Sequence, residues 1–264
     1  MTGNDTFRAF RITDSDGKVS AGFTELTIED LTPGDVVIRV SHSTINYKDA
    51  LAATGAGRIL RKSPLNGGID LAGTVVTSAD AGLEPGTRVV VNGCGLSEAI
   101  DGGYAEFARV PAVACVPLPD DLSNFEAMQI GTAGYTAALA IHRMEQNDQR
   151  PENGPVVVTG ATGGVGSIAV AILAQAGYRV VAVSGKTEQR KFLSDLGAAD
   201  VITREDACDT SRRPLLKGRW AGVVDTVGGD ILATALKSTR YGGAVTCCGL
   251  VASPQLSTTV FPFI

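Results

Sequence analysis

A short apolar run that leads into a glycine-rich turn constrains this chain more than any other feature. Residues 155–159 read PVVVT, residues 160–167 read GATGGVGS, and an alanine-rich segment with helical periodicity follows. Glycines allow a tight turn and a close approach of a pyrophosphate, to which the next helix offers free N–H groups. A glycine turn without a ligand is the alternative reading. Strand, turn and helix in this order nevertheless predict a dinucleotide-binding motif. The residues predicted to bind the cofactor are Gly163, Gly164, Val165, Gly166 and Ser167.

From residue 155 onward, predicted strands alternate with predicted helices. This alternation is typical of a parallel sheet covered by helices on both faces. The predicted strands are 155–159, 178–183, 200–202, 221–225 and 243–247, and the predicted helices are about 164–176, 187–196 and 229–239. The second half of the chain is therefore predicted to be a doubly wound, Rossmann-type domain.

The first half has a different pattern, with short strands separated by glycine and proline turns. The predicted strands are 7–12, 35–40, 71–77, 87–91 and 104–110. They indicate a small β-rich, barrel-like domain. Ser123 and Glu126 have the spacing of a capping box, and the helix that follows reaches Met144 with a possible break at residues 131–134. We predict an α/β protein with domains at 1–122 and 123–264.

Composition excludes several classes of function. The formal net charge is −5, which argues against a nucleic-acid binder, because such proteins rely on clustered lysine and arginine. The five cysteines include no C-x-x-C pair, so they suggest neither a disulfide framework nor a metal cage. The sequence shows no secretory signal pattern and no apolar run of membrane-spanning length. We therefore expect a cytoplasmic protein in a reducing compartment.

The end of the second predicted Rossmann strand indicates the choice of nicotinamide cofactor. NAD-binding versions of this fold carry an Asp or Glu there, which bonds the ribose 2′-hydroxyl. This chain instead has Ser184 and Lys186, a hydroxyl and a cation that suit a 2′-phosphate. Arg190, and Arg204 after the third strand, could add positive charge. An ordinary solvated helix start is the alternative, but the missing carboxylate favours NADP(H).

Six segments together resemble a known superfamily. They are residues 46–51 (NYKDAL), 68–75 (GIDLAGTV), 131–137 (GTAGYTA), 159–167 (TGATGGVGS), 183–186 (VSGK) and 225–229 (DTVGG). The chain resembles the medium-chain dehydrogenase/reductase superfamily in its zinc-independent, quinone-oxidoreductase-like branch, and there most closely the NADPH-dependent acrylyl-CoA reductases. The resemblance implies a GroES-like catalytic domain followed by a Rossmann domain.

The resemblance also implies roles for individual residues. It puts Asn46 and Tyr47 beside the nicotinamide and the substrate, with Asn46 as a positioning donor. Tyr47 would contact the cofactor and help to protonate the enolate carbon, and Asp49 would orient this loop. Thr132 would touch the nicotinamide-side phosphate or ribose, and Leu250 would lie near the nicotinamide. The alternatives are a turn whose tyrosine merely packs and a threonine that only kinks a helix.

Zinc is not expected. Zinc-dependent members of the superfamily carry Gly-His-Glu where this chain has Gly68-Ile69-Asp70, and Cys94 stands alone where a cysteine cluster would be. The two histidines, His42 and His142, are predicted to be structural.

These expectations lead to an NADPH-dependent reduction of acrylyl-CoA to propanoyl-CoA. A reductase of quinones or free α,β-unsaturated carbonyls is the alternative, and a non-catalytic NADPH-binding protein is an alternative of another class. Arg58, Arg61 and Lys62 form a basic cluster that could hold CoA phosphates, although a solvated loop is the commoner case. Relatives make a homodimer plausible. Only five Rossmann strands are predicted where six are usual, so we expect the 264-residue chain to be shortened at its C-terminus and poorly active alone.

Overall fold

The computed structural model describes residues 5–211 and 213–264 and divides into two compact units, Met1–Thr132 and Ala133–Ile264. The elements up to the division are β1 (Phe7–Ser15), β2 (Lys18–Leu26), β3 (Val36–His42), α1 (Tyr47–Thr54), β4 (Leu65–Asn66), β5 (Asp70–Ser78), β6 (Arg88–Asn92), β7 (Phe107–Val110) and β8 (Val116–Pro117). Helix α2 (Asn124–Gln146) runs across the division. The elements after it are β9 (Val156–Val158), α3 (Gly164–Gln175), β10 (Val180–Val183), α4 (Arg190–Asp195), β11 (Asp200–Ile202), β12 (Trp220–Asp225), α5 (Gly229–Ser238) and β13 (Thr239–Cys247).

The N-terminal unit contains two antiparallel sheets. Their strand orders are β2-β1-β4 and β7-β3-β5-β6-β8. Alternate residues of the longer sheet face its core, as Val36 and Ile38 do on β3 and Val89 and Val91 on β6. Each such side chain contributes about 1.5–3 kcal/mol when it is fully buried. The period-2 pattern that predicted these strands is therefore the pattern that builds the core.

The C-terminal unit is a five-stranded parallel sheet of order β11-β10-β9-β12-β13. Numbered within the unit, this is the order 3-2-1-4-5, so the connections reverse direction between β9 and β12. Strand β9 is buried on both faces, because Val156 and Val158 belong to one apolar cluster and Val157 to another. The predicted fold class, a β-rich domain followed by a doubly wound α/β domain, is confirmed.

Four elements of the N-terminal unit were not predicted, namely β2, α1 and the two-residue strands β4 and β8. Strand β2 pairs with β1 through a hairpin at Asp16-Gly17, where both residues have positive φ. None of its residues is fully buried, so the strand has no alternation of buried apolar residues from which it could be predicted. Helix α1 occupies residues that were interpreted as a loop or turn. Its eight residues are too few for a clear helical period, and its start depends on caps rather than on an apolar face.

Two predictions about α2 are confirmed. The backbone N–H of Ser123 donates to Glu126 Oε2 at 2.9 Å and that of Glu126 donates to Ser123 Oγ at 3.2 Å, which is the predicted capping box. The helix is interrupted at Gly131, which has φ 50° and ψ −161°. The division between the units falls after Thr132, ten residues beyond the predicted domain boundary of 122. The segment before the interruption packs with the N-terminal unit, where Ala127 and Met128 contact Ala72.

Candidate functional site

The start of helix α1 presents the predicted residues Asn46, Tyr47 and Asp49. Asn46 is the N-cap, with extended backbone angles, and Tyr47 is the first helical residue. The backbone N–H of Asn46 donates to Asp49 Oδ2 at 2.8 Å, and the backbone N–H of Ile69 donates to Asp49 Oδ1 at 2.9 Å. Asp49 thus connects the helix start with the residue before β5. Burial raises the pKa of Asp49, and these two backbone hydrogen bonds partly oppose that rise.

Tyr104 contacts the segment just before the same helix. Its hydroxyl donates to the carbonyl oxygen of Thr44 at 3.0 Å. Burial raises its pKa strongly, and the nearby Asp49 carboxyl raises it further. Gly68 packs on the tyrosine ring with φ +91°, and a Cβ at that position would lie 2.6 Å from Tyr104 Cδ1. Glycine is therefore required at position 68. The contact between Gly68 and the Tyr104 ring could not be predicted from the sequence.

Asp70 is the second buried carboxylate of this unit, and it collects donors from three segments. Asn46 Nδ2 donates to Oδ2 at 2.8 Å, and Asn92 Nδ2 donates to Oδ1 at 2.8 Å. Thr132 donates twice, from its backbone N–H to Oδ2 at 3.0 Å and from Oγ1 to Oδ1 at 2.6 Å. The structure thereby brings two predicted site residues, Asn46 and Thr132, onto one carboxylate. In the sequence analysis, Asp70 was singled out only as the residue that stands in place of a glutamate of the zinc-dependent members.

Tyr47 is exposed over 56% of its surface. Its hydroxyl forms no hydrogen bond with the residues that the structure describes, whereas the Tyr104 hydroxyl donates to the carbonyl oxygen of Thr44. A tyrosine at a helix start whose side chain is more than half exposed is accessible to a ligand.

The basic cluster after α1 is partly neutralised. Glu98 accepts from Lys48 Nζ at 2.6 Å and lies 3.8 Å from Arg61 Nη2. Within residues 5–211 and 213–264, neither Arg58 nor Lys62 forms an ion pair. Together with Glu98, the cations at 48, 58 and 61 line an open cavity of about 330 Å³.

In the C-terminal unit, the glycine-rich turn leads into α3 as predicted. Gly163 is the N-cap, and no side chain caps the first turn. A Cβ on Gly166 would overlap the carbonyl oxygen of Gly160, so this turn closes only with glycine there. The free N–H groups of the first turn and the partial positive charge of the helix end suit a phosphate group. These residues fit a pyrophosphate.

The end of β10 carries the residues predicted to read the 2′-phosphate. Ser184 is buried, and its hydroxyl accepts from the backbone N–H of Lys186 at 3.0 Å. The guanidinium of Arg204 lies against Gly185, where a Cβ would be 2.9 Å from Arg204 Nε. Neither Lys186 nor Arg204 is paired with a carboxylate of the described residues. Ser184, Lys186 and the Arg204 guanidinium therefore lie around one strand end, and a hydroxyl with two cationic residues there fits a phosphate monoester.

The point where the sheet reverses direction holds a buried carboxylate of the C-terminal unit, Asp225 at the end of β12. It accepts from Thr159 Oγ1 at 2.6 Å and from the backbone N–H of Gly228 at 2.8 Å. The bond to Gly228 lies in the turn that connects β12 with α5. Thr159 also accepts from the backbone N–H of Thr226 at 3.0 Å, so it joins the ends of β9 and β12. Leu250 follows β13 with its backbone beside Gly228 and its side chain half-exposed.

The residues do not fit a zinc site. No group of three His, Cys, Asp or Glu side chains among the described residues could hold a metal ion. The Asp70 oxygens are occupied by four donors, and the ring of His42 packs against Phe125. In the same part of the chain, no helix is both long and apolar enough to cross a membrane.

Comparison with known proteins defines the class. Residues 32–120 match the model of the alcohol dehydrogenase GroES-like domain, and residues 164–264 match that of the zinc-binding dehydrogenase. The chain is 47% identical over 258 residues to a putative quinone oxidoreductase, YhfP of Bacillus subtilis. This match covers 98% of this chain and 78% of the relative. The chain is 45% identical over 251 residues to the acrylyl-CoA reductase AcuI of Ruegeria pomeroyi, and this match covers 95% of this chain and 76% of the relative.

Solved structures agree with this class. The yhdH oxidoreductase of Salmonella enterica in complex with NADP has a TM-score of 0.93 at 47% identity, with 97% of this chain and 79% of that chain covered. The B. subtilis yhfP structure with NAD bound has a TM-score of 0.93 at 46% identity, with 99% and 79% covered. The chain belongs to the medium-chain dehydrogenase/reductase superfamily, in its quinone-oxidoreductase-like branch.

Proposed function

We propose that the chain is an NADPH-dependent reductase of the C=C bond of a 2-enoyl thioester, which converts acrylyl-CoA to propanoyl-CoA. The observation that carries this proposal is the site at the start of α1. There Asn46 is held as a hydrogen-bond donor by a buried carboxylate, next to the exposed Tyr47, and the described residues offer no set of metal ligands. Such a site suits the stabilisation of charge on an oxygen. The 45% identity to an acrylyl-CoA reductase supports the choice of substrate.

The proposed chemistry balances as acrylyl-CoA plus NADPH plus a proton giving propanoyl-CoA plus NADP⁺. NADPH, when bound, supplies a hydride to the carbon β to the thioester carbonyl. The C=C electron pair moves towards the carbonyl, and the charge reaches the thioester oxygen. The second N–H of Asn46 would donate to that oxygen. The Tyr47 hydroxyl would deliver the proton to the α carbon.

The cofactor would be held by the C-terminal unit. The first turn of α3, residues 163–167, would take the pyrophosphate, and Ser184, Lys186 and Arg204 would take the 2′-phosphate. One similar structure contains NADP and another contains NAD, so the choice rests on the residues of this chain. The strand end at Ser184 has no carboxylate to bond a ribose 2′-hydroxyl, which supports NADPH.

Arg58 and Lys62 are the cations best suited to hold the CoA phosphates. Arg61 and Lys48 already share Glu98, so a phosphate gains less from them. Of the predicted basic cluster, we therefore propose only Arg58 and Lys62 as the main contacts of the CoA phosphates.

A second candidate is the reduction of a quinone or a free α,β-unsaturated carbonyl by the same hydride step. The observation in its favour is the similarity to the putative quinone oxidoreductase YhfP. A substrate panel decides between the two. We expect NADPH oxidation with acrylyl-CoA at a kcat/KM at least tenfold above that for acrylate, an alkenal and a quinone. The reverse order would favour the second candidate, and no oxidation with any acceptor would favour a non-catalytic NADPH-binding protein.

Replacement of one hydroxyl tests the site itself. We expect Tyr47→Phe to lower kcat for acrylyl-CoA about a hundredfold, within the range for loss of a general acid, and to leave the melting temperature unchanged. Tyr241→Phe is the matched control, because Tyr241 is fully exposed on β13. Equal kcat values for the two variants would remove Tyr47 from the mechanism.

A further inference from the structure

Asp70 is buried completely, yet no cation among the described residues offsets its charge. Its relative exposure is 0%, and no lysine, arginine or histidine of the described residues forms an ion pair with it. Its neighbours are instead the four neutral donors of Asn46, Asn92 and Thr132. A buried carboxylate is costly unless it is fully hydrogen-bonded, and an apolar replacement is often neutral or stabilising. Stability alone therefore does not account for an aspartate here.

We propose that Asp70 is a positioning residue that acts through Asn46 and Thr132 and fixes both for hydride transfer. This inference rests on the proposed function. The proposed contacts of Asn46 with the substrate and of Thr132 with the cofactor would both depend on a single carboxylate.

The first part of the argument concerns the orientation of the Asn46 amide. A carboxylate can only accept hydrogen bonds, so the side of the amide that faces Asp70 must be Nδ2. One of its two hydrogens is then bound to Asp70, and the other has a fixed direction. Without the carboxylate, the amide can turn over and present its oxygen, which would repel a developing oxyanion. Asp70 therefore decides whether Asn46 is a donor.

The second part concerns the backbone at the interruption of α2. Gly131 adopts φ 50°, and a Cβ there would lie 3.2 Å from Asp70 Oδ2. The next residue, Thr132, donates to both oxygens of the same carboxylate. The interruption thus places a backbone N–H and a hydroxyl on Asp70, and the carboxylate in turn fixes the start of the following helical segment.

Asp101 provides a matched control in the same unit. It is equally buried, but it pairs with Arg11 at 3.0 Å and accepts from the backbone N–H groups of Thr32 and Asn66. These partners differ from the Asn46, Asn92 and Thr132 donors of Asp70. Asp101→Asn therefore reports the cost of neutralising a buried structural carboxylate.

The experiment is a double-mutant cycle of Asp70→Asn with Asn46→Ala, measured on the whole chain with acrylyl-CoA. We expect Asp70→Asn to lower kcat about tenfold and to change the KM for NADPH by a smaller factor. In the Asn46→Ala background, the same substitution should change kcat less than about twofold, because coupled residues are not additive. Asp101→Asn should lower the melting temperature and leave kcat unchanged. An equal loss of kcat in both backgrounds, or an equal loss from Asp101→Asn, would overturn the proposal.

A measurement without turnover separates this proposal from the proposed function. The side-chain amide signals of Asn46 are assigned in the NMR spectrum by their loss in Asn46→Ala. We expect one amide proton to exchange slowly in the unaltered protein, and to shift and exchange faster in Asp70→Asn but not in Asp101→Asn. Unchanged signals in Asp70→Asn would overturn the positioning role. If none of the tested acceptors supports NADPH oxidation by the unaltered protein, the proposed function fails. The amide signals of Asn46 still decide whether Asp70 orients Asn46.

Discussion

The N-terminal and C-terminal units fix their candidate site residues by different means. In the N-terminal unit, side chains hold side chains, because Asn46 and Thr132 are bonded to the carboxylate of Asp70. In the C-terminal unit, the backbone itself forms the site, because Gly166 packs on Gly160 and leaves the start of α3 open. In the N-terminal unit, replacing a single oxygen of the Asp70 carboxylate, as in Asp70→Asn, would be enough to disturb both side chains. The site of the C-terminal unit fails when a side chain occupies the space of the turn.

The largest effect should come from filling the backbone site. We expect Gly166→Ala to weaken NADPH binding at least a hundredfold, about 2.7 kcal/mol, because the added Cβ would overlap the Gly160 carbonyl oxygen. Gly163→Ala is the control, since its Cβ would meet only that oxygen, at 3.3 Å, and should cost less than about threefold. Fluorescence titration with NADPH measures both. Equal losses would show that the turn has no special need for glycine at 166.

The next effect tests whether the C-terminal unit also depends on a side-chain network. Thr159→Val removes the hydroxyl that donates to Asp225 and accepts from the Thr226 N–H. Because Asp225 loses one of its donors and the Thr226 N–H loses this acceptor, we expect a loss of about 1–3 kcal/mol in the free energy of unfolding. Denaturant unfolding measures this loss. Thr77→Val, at an exposed position of β5, should change it by less than about 0.5 kcal/mol. A stability unchanged by Thr159→Val would mean that backbone contacts alone hold the sheet ends.

A smaller effect is expected on the choice of cofactor. Lys186→Asp should weaken NADPH by about tenfold to a hundredfold more than NADH, because it replaces an attraction to the 2′-phosphate with a repulsion. The dissociation constants of the two cofactors measure this difference. Lys191→Asp, the same charge reversal on the exposed face of α4, should change both affinities equally. An equal loss for the two cofactors in Lys186→Asp would show that Lys186 does not read the phosphate.

The smallest effect concerns the substrate handle. Replacing Arg58 and Lys62 by glutamine should raise the KM for acrylyl-CoA about three- to tenfold and leave that for a small enone unchanged, because exposed charge contacts are weak. Arg61→Gln should have less effect, since Glu98 already pairs with this arginine. Steady-state kinetics with the two substrates measures the contrast. Parallel changes in both KM values would show that the pair does not hold the CoA moiety.

Features that depend on neighbouring residues could be predicted from the sequence. The glycine-rich turn, the alternation of strands and helices after residue 155 and the interruption of α2 at Gly131 all follow from local conformational preference and apolar period. The order of the motifs along the chain was specific enough to indicate the superfamily. Ser184 and Lys186 could be singled out because the strand that precedes them is continuous and apolar.

Only the tertiary structure decided which distant residues meet. Asn46, Asn92 and Thr132 lie far apart in the sequence, and nothing local in any of them indicates that Asp70 collects all three. Arg204 reaches Gly185 only because β10 and β11 are neighbours in the sheet. Strand β2 carries no buried pattern of its own, and β1 determines its place. Local preference sets the elements, but the donors that satisfy a buried charge are known only once the chain has packed around it.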